Sequence, residues 1–150
     1  MRNLILSLFL FFWTAGYAME KIFVVHESRY SPEKTTVIII SSLKNYGLQL
    51  FNVVDHHINA QQAGFRMDFE RVVVFGNPVV GTKLMKENPL IGLELPLKIL
   101  IYRKNGKTFV AYKNPFFVEK VYNLGNMHQV FARMNGILKQ ITSKVIRETQ

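Results

Sequence analysis

The stretch that decides the fold is residues 95–113, which have the sequence LPLKILIYRKNGKTFVAYK. Two runs rich in apolar and β-branched residues, Leu95–Tyr102 and Lys107–Lys113, flank the dipeptide Asn105-Gly106. Asparagine and glycine both tolerate a positive φ, which a two-residue hairpin turn requires. The sequence therefore predicts two antiparallel strands that are joined at Asn105-Gly106.

Three further segments are predicted to be strands: Lys21–Ser28, Leu48–Val54 and Arg71–Phe75. The last contains an unbroken apolar run, Val72-Val73-Val74-Phe75, which is typical of a buried central strand. Gly76-Asn77-Pro78 then ends it, because proline cannot donate to a ladder of strand hydrogen bonds.

The longest predicted helix is Met127–Arg147, with Asn126 as its cap. It carries apolar residues at helical spacing on one face and basic residues on the other. We expect the apolar stripe to cover one face of a sheet; the alternative is a basic helix lying on a membrane. Ser31 and Pro32 predict another helix start, and Gly47 its end. Shorter helices are predicted over Val80–Asn88 and Phe116–Leu124, and a short helix or a turn over Asn59–Gly64.

The first 18 residues have the pattern of a secretory signal peptide. Arg2 is their only charge, and the apolar run Leu4–Trp13 is too short to cross a bilayer core of about 30 Å as a helix. Gly16 and Ala18 are the small residues that a cleavage site needs, so we expect cleavage after Ala18. This predicts export to the periplasm or the extracellular space, and one domain over 19–150 without a transmembrane segment. An uncleaved anchor or a buried helix is the alternative.

Composition excludes several classes of protein. The chain has 150 residues and 49% hydrophobic content, so it is one domain's length and too apolar for a disordered tail. It has no cysteine, which excludes disulfides, a thiolate nucleophile and cysteine-ligated metals. Residues 98–150 carry ten basic and two acidic side chains, whereas residues 19–97 carry eight of each. The excess of positive charge in residues 98–150 could attract anionic partners. The alternative is that these basic residues form a solvated surface.

The first candidate site is Asp55-His56-His57. Alternate residues of a strand share a face, so Asp55 and His57 could act as a metal-ligand pair or as a base and its orienter. Two ligands are too few for a closed metal site, and no serine lies in a nucleophile-elbow pattern. The favoured interpretation is that the Asp55 carboxylate caps the next helix and that His56 packs at the end of the sheet.

The second candidate site is the segment GNPVVGTK, residues 76–83. A turn into a helix start at Gly81-Thr82-Lys83 would present backbone N–H groups that suit an anion. It is not a Walker loop, because the order Gly-Lys-Thr is absent. The alternative is a tight turn whose backbone requires Gly76, Pro78 and Gly81, with Thr82 as the helix cap.

We expect Asp55, His56, Asn77 and Thr82 to meet in one cleft, with Lys83 beside it, which would bind a small anionic or polar ligand or a partner protein without catalysis. One alternative is a small hydrolase or isomerase that uses Asp55 and His56. Another is a structural homo-oligomer built by pairing sheet edges or helix ends. No metal and no cofactor is predicted.

The hairpin is also basic, because its register places lysine opposite lysine: Lys104 with Lys107, and Lys98 with Lys113. Tyr102 and Phe109 lie between these pairs. Lysines and aromatic rings in one strip could bind a nucleic acid strand through phosphate contacts and base stacking. Export argues against nucleic acid and favours an anionic glycan, a lipid head group or an acidic protein. The alternative is a solvated edge whose lysines discourage strand addition.

The order of these features resembles the bacterial and archaeal family catalogued as domain of unknown function 302. Phe75-Gly76-Asn77-Pro78 followed by Gly81-Thr82 is the most specific part of a resemblance that covers about 23–141. It implies a compact α+β domain, a mostly antiparallel sheet with helices on one face, and no established activity. The Ile-rich first helix, His57 and the basic C-terminal third depart from the family pattern.

Overall fold

Five strands form one sheet in the computed structural model, which describes residues 22–146. They are β1 (Phe23–Ser28), β2 (Gln49–Asp55), β3 (Glu70–Gly76), β4 (Leu97–Lys104) and β5 (Lys107–Lys113). Their order is β1-β5-β4-β3-β2, and every neighbouring pair is antiparallel. The predicted α+β class and antiparallel sheet are confirmed. The predicted signal peptide lies outside the described residues.

The helices are α1 (Pro32–Ser42), α2 (His56–Gln62), α3 (Pro78–Glu87), α4 (Pro115–Val121) and α5 (His128–Ser143). Short 3₁₀ segments occupy Leu43–Tyr46, Pro89–Leu93 and Gly125–Met127. The predicted start of α1 is confirmed, because the Ser31 hydroxyl accepts from the Lys34 N–H. Gly47, left-handed with φ 64°, ends the 3₁₀ segment that continues α1. β-Branched residues therefore form a helix here because cap and packing outweigh local propensity.

Two predicted helix starts and one predicted cap are wrong. Helix α2 begins at His56, three residues before the predicted Asn59. Helix α3 begins at Pro78 instead of Val80, because the Asn77 side chain accepts from the N–H groups of Val79 and Val80. Asn126 does not cap α5; its amide Nδ2 donates instead to a Glu87 carboxylate oxygen at 3.2 Å. A sequence shows only that a residue type able to cap a helix is present. Which group its side chain binds depends on tertiary contacts.

One face of the sheet is covered by α1 and α5. Their buried residues include Ile39, Leu138 and Ile141, which pack in one cluster with residues of the central strands such as Ile99 and Val73. Burying a side chain of this size contributes roughly 1.5–3 kcal/mol, so this layer is the main source of stability. A second buried cluster joins α3, α4 and the first half of α5: Leu84, Ile91, Val118, Leu124, Phe131 and Met134.

The hairpin forms as predicted. Asn105 and Gly106 have φ values of 51° and 75°, and Lys104 pairs with Lys107. The turn thereby fixes which side chains of β4 and β5 face the helices and which face the other side.

Candidate binding face

The side of the sheet opposite to α1 and α5, called the open face here, carries a continuous apolar row. The row runs across all five strands through pairs of directly opposed residues. Its members, in sheet order, are Val25, Ala111, Leu100, Val72 and Val54. None of the five belongs to either buried cluster of residues 22–146, and Val25 is 48% exposed. An apolar row without a packed layer is the feature expected of a docking surface.

Charged residues border the apolar row on both sides. On one side lie Lys98 and Lys113, where β4 begins and β5 ends. On the other side lie Glu27 and Glu70, which are opposed to Phe109 and Tyr102 in the register. The rings of Tyr102 and Phe109 stack with centroids 5.3 Å apart. Glu27 is ion-paired within the chain, since Lys107 Nζ donates to its Oε2 at 2.9 Å. The open face therefore has an apolar centre with charged side chains on both sides, and the stacked aromatic pair lies on the side of Glu27.

A loop holds Lys98 and Lys113 in place. The Glu94 carboxylate accepts from Lys113 Nζ at 2.7 Å and from the Tyr122 hydroxyl at 3.3 Å. Lys98 Nζ donates to the backbone oxygens of Glu94 and Pro96 at 3.1 and 3.0 Å. Burial and the nearby Glu94 carboxylate raise the pKa of Tyr122, so this phenol stays protonated at neutral pH and donates.

The same loop and the open face enclose a groove of about 540 Å³. Its lining joins Leu100, Ala111 and Val72 of the open face with Leu93 and Leu95 of the loop. It also reaches residues of the covered side, among them Met134 and Leu138. The lining is mostly apolar, and the volume lies in the range of small-molecule sites, about 300–1,000 Å³. The groove therefore has room for a small apolar or amphipathic molecule, or for protruding side chains of a partner.

Tyr112 also lines this groove. It belongs to the covered face and is almost fully buried. Burial raises the pKa of the Tyr112 phenol, and the nearby Thr142 side chain partly offsets that rise.

Asp55 and His57 lie together, as the strand alternation suggested, but in an ion-pair cluster. The Asp55 carboxylate accepts from Arg71 Nε, and its Oδ1 lies 3.5 Å from His57 Nδ1. The His57 ring stacks on Phe69 at 4.5 Å, and Nδ1 lies 3.2 Å from the Glu70 carbonyl oxygen. The Asp55 carboxylate therefore lies between the Arg71 guanidinium and the His57 ring. The His57 ring is also held in place by its stacking on Phe69.

The predicted capping role of Asp55 is wrong, because its side chain forms no capping hydrogen bond with α2. Arg71 is its direct partner across β2 and β3, so the carboxylate turns towards the guanidinium. His56 is exposed at the start of α2 and lines the groove, whereas the sequence predicted that it packs at the sheet end.

The predicted cleft between Asp55, His56, Asn77 and Thr82 does not exist. In the antiparallel pair of β2 and β3, Asp55 is opposite Arg71, whereas Gly76, just before Asn77, is opposite Gln49. Asp55 and Asn77 therefore lie at opposite ends of these strands. The carboxyl ends of two neighbouring strands lie at the same edge of a sheet only when the strands are parallel, and these strands are antiparallel.

The segment 76–83 is a capped helix start without exposed donors for an anion. Asn77 Oδ1 accepts from the first N–H groups of α3, and Asn77 Nδ2 donates to the Gly47 carbonyl at 3.2 Å. Gly81 lies inside α3, where its N–H donates to the Asn77 carbonyl. Thr82 and Lys83 follow on the exposed surface of α3. The predicted anion site at Gly81-Thr82-Lys83 and the Thr82 cap are wrong.

Gly76 and Pro78 have backbone roles, as predicted. A Cβ on Gly76 would lie 3.2 Å from the Phe51 ring, so close approach of that ring favours glycine there. Pro78 is the first residue of α3, where its missing N–H costs nothing. Gly81 has only ordinary contacts around a built Cβ. Nothing in the structure explains why Gly81 is glycine.

Within residues 22–146, no three histidine or acidic side chains lie close enough to hold a metal ion. Over the same residues, no helix is both long enough and apolar enough to cross a membrane.

The fold defines a class of α+β protein: a single antiparallel sheet with helices on one face. The other face carries an apolar row with charged residues on both sides. The chain belongs to the family Domain of unknown function DUF302, whose family model matches residues 24–141. A crystal structure of an uncharacterized conserved protein DUF302 from Bacillus stearothermophilus has a TM-score of 0.76 at 19% identity, covering 83% of this chain and 98% of that one. This likeness shows the fold.

Curated relatives include two proteins named Fluoride-specific ion channel FluC 1. Those from Brucella suis and Brucella abortus are both 33% identical over 103 residues, which is 68% of this chain. The chain spans 41% and 38% of the length of these relatives.

Sequence reasoning missed the open face, although the signal was present in β3. Val72-Val73-Val74 is apolar at consecutive positions, so both sides of the strand are apolar. Such a run predicts a strand that is buried on both sides, whereas in the structure helices cover only the side on which Val73 lies. The Arg71 partner of Asp55 was also missed, since pairing between strands is not visible in local spacing.

Proposed function

We propose that this chain is a non-catalytic binding module that docks another molecule on its open face. The single observation that carries the proposal is the apolar row across all five strands. In the Asp55 cluster, Arg71 binds the carboxylate and Phe69 stacks on the His57 ring. Apolar side chains between charged borders favour binding, since desolvation supplies affinity and the borders supply orientation.

Export is part of this proposal. It is supported by Arg2, the apolar run Leu4–Trp13 and the small residues that follow. N-terminal sequencing of the protein taken from its own cells should begin at or near Met19. An intact Met1 would contradict it.

Native mass spectrometry of the protein purified from its own source tests the binding module. We expect masses above that of one chain, from either a bound molecule or a second protein. Val25→Glu should remove the added mass and keep the helical signal, because this exposed position tolerates a charge in the folded domain but not under an apolar partner. Val37→Glu is the matched control, since Val37 is 65% exposed on α1, away from the open face. A bare single chain with the parent sequence would overturn the proposal.

A second candidate function is binding of a small amphipathic molecule, which the groove of about 540 Å³ favours. Its apolar lining would take a hydrocarbon part, with Lys98 and Lys113 near an anionic end. Delipidation followed by titration with a medium-chain fatty acid tests this candidate. Saturable binding that Leu100→Glu removes would support it, and no binding would exclude it.

The relatives suggest one class of protein partner. Segments similar to this chain form part of proteins named as fluoride-specific ion channels. A membrane transport protein is therefore a candidate partner, and crosslinking in intact cells followed by identification of the linked protein tests it.

A further inference from the structure

We propose that a basic cluster on the helical side of the sheet docks this chain on an anionic lipid surface. The basic cluster consists of three cations and two aromatic rings: Arg29, Lys34, Lys144, Tyr30 and Tyr46. These residues lie on α1, in the segments on either side of it and directly after α5. The cluster is separate from the open face, so this inference goes beyond the proposed function and does not depend on it.

Direct contacts join the five residues of the basic cluster. The Arg29 guanidinium carbon lies 5.2 Å from the centroid of the Tyr30 ring, and Lys34 Nζ lies 4.5 Å from the same centroid. Arg29 Nη2 also donates to the Lys144 carbonyl oxygen at 3.3 Å. Lys144 Nζ in turn lies 5.5 Å from the centroid of the Tyr46 ring. The three cations are therefore held together by aromatic rings and a backbone carbonyl.

The positive charge of the cluster is not neutralised by ion pairs. Within residues 22–146, no carboxylate forms an ion pair with any of its three cations. The acidic residue of α1, Glu33, interacts with the charges of Arg103 and Arg71 instead. The charged residues of α5, Arg133 and Lys139, are both basic and exposed. The helical side therefore keeps an excess of positive charge, which attracts an anionic partner.

The rings of the cluster favour a lipid surface over a nucleic acid strand. Single strands bind to basic aromatic surfaces by stacking their bases on the rings. The Tyr30 ring already has Arg29 and Lys34 over it, and the Tyr46 ring has Lys144. Recognition then depends on charge, and the head groups of an anionic bilayer supply many negative charges in one plane.

An exposed apolar side chain lies beside the cluster. Val37 is 65% exposed and follows Lys34 by three positions, so the two side chains share one side of α1. Lys44 is also exposed, just after α1. Basic and apolar side chains on one surface favour an anionic bilayer, because the cations attract head groups while the apolar side chain enters the interface.

Co-sedimentation with lipid vesicles tests the proposal, using the gene product as the cell processes it. Phosphatidylcholine vesicles that contain about one third phosphatidylglycerol should bind the parent, whereas pure phosphatidylcholine vesicles should bind it weakly. Binding should also weaken when salt is raised from about 0.05 M to about 0.5 M, because salt screens exposed charges.

Charge removal tests the site. Arg29→Gln, Lys34→Gln and Lys144→Gln should each weaken vesicle binding by about fivefold, and the triple variant by about thirtyfold or more. If Arg29→Gln fails to fold by circular dichroism, the exposed Lys34→Gln repeats the test. Lys34→Arg should bind like the parent, because it keeps the charge.

A matched control removes the same charge elsewhere. The triple variant Lys83→Gln/Lys86→Gln/Lys120→Gln changes exposed lysines of α3 and α4 and should bind vesicles nearly as well as the parent. Equal losses in the two triple variants would overturn the proposed site, since net charge alone would then explain the binding. Equal binding of the parent to neutral and anionic vesicles would also overturn it.

Two further outcomes separate this surface from other possibilities. Val37→Glu should weaken vesicle binding, and Val25→Glu, on the open face, should leave it unchanged. Loss of binding in Val25→Glu alone would overturn the basic cluster and place the lipid on the open face. Tighter binding of the parent to a single-stranded oligonucleotide than to anionic vesicles would overturn the choice of lipid.

Discussion

Neighbouring residues of each strand form the two faces of the sheet, but helices cover only one of these faces. Ile99 is fully buried under the helices, whereas Leu100, the next residue of β4, lies in the apolar row of the open face. Both are aliphatic, so hydrophobicity alone does not distinguish them. The difference teaches that a strand with two apolar sides can belong to a sheet with only one helical layer, and that the second side then marks a surface available for binding.

Removing the cover from one face should have the largest effect. Truncation after Gly125 deletes α5, and with it Phe131, Leu138 and Ile141, each worth roughly 1.5–3 kcal/mol. That loss approaches the whole stability of a domain, about 5–15 kcal/mol, so the truncated chain should be unfolded or aggregated. Circular dichroism and thermal melting measure this. A soluble truncation with a cooperative melt would show that α5 is not part of the core.

A matched pair of substitutions compares the faces directly. Ile99→Ala should lower the free energy of unfolding by about 2–5 kcal/mol, because it leaves a cavity in the buried cluster. Leu100→Ala should cost less than about 1 kcal/mol in the single chain, where its side chain has no packed layer above it. Urea denaturation at low protein concentration measures both. Equal losses would show that the open face is covered within one chain.

The hairpin turn sets the register that separates the faces. Gly106 has φ 75°, so Gly106→Val forces a β-branched residue into the left-handed region and should cost about 1 kcal/mol or more. Asn105→Gly is the control, because glycine accepts the φ of 51° at that position and should leave stability nearly unchanged. A Gly106→Val variant that unfolds at the parent's urea midpoint would contradict the requirement for a positive φ.

The smallest expected effect is a pH dependence from the covered side. Burial lowers the pKa of His26 from its ordinary value of 6.5. The unfolded chain therefore binds this proton first, so the contribution of His26 to stability is complete above 6.5 and falls as the pH drops towards the folded pKa. The parent should lose more stability than His26→Gln between roughly pH 8 and roughly pH 5. Val25→Thr, on the open face, should keep the parent's slope.

If the slope of His26→Gln equals that of the parent, the imidazole titrates alike in the folded and unfolded chains. The loss of stability in acid would then belong to other groups.

Local signals predicted most of the elements. Asn105-Gly106 specified the hairpin, Ser31 and Gly47 delimited the first helix, and the spacing of apolar residues in 127–147 predicted α5. The candidate site could not be predicted in the same way. Asp55 was assigned a cap because aspartate before a helix often is one, but its strongest partner, Arg71, lies 16 positions away across two strands.

The sequence by itself determined the α+β class, the family and the apolar character of both sides of β3, because periodicity, turn chemistry and local motifs are properties of adjacent residues. Only the tertiary structure decided the strand order β1-β5-β4-β3-β2, and hence which residues meet. Antiparallel pairing of β2 and β3 separated Asp55 from Asn77. The same sheet order aligned Val25, Ala111 and Leu100 from three strands into one row, because a shared position across a sheet depends on register between distant segments.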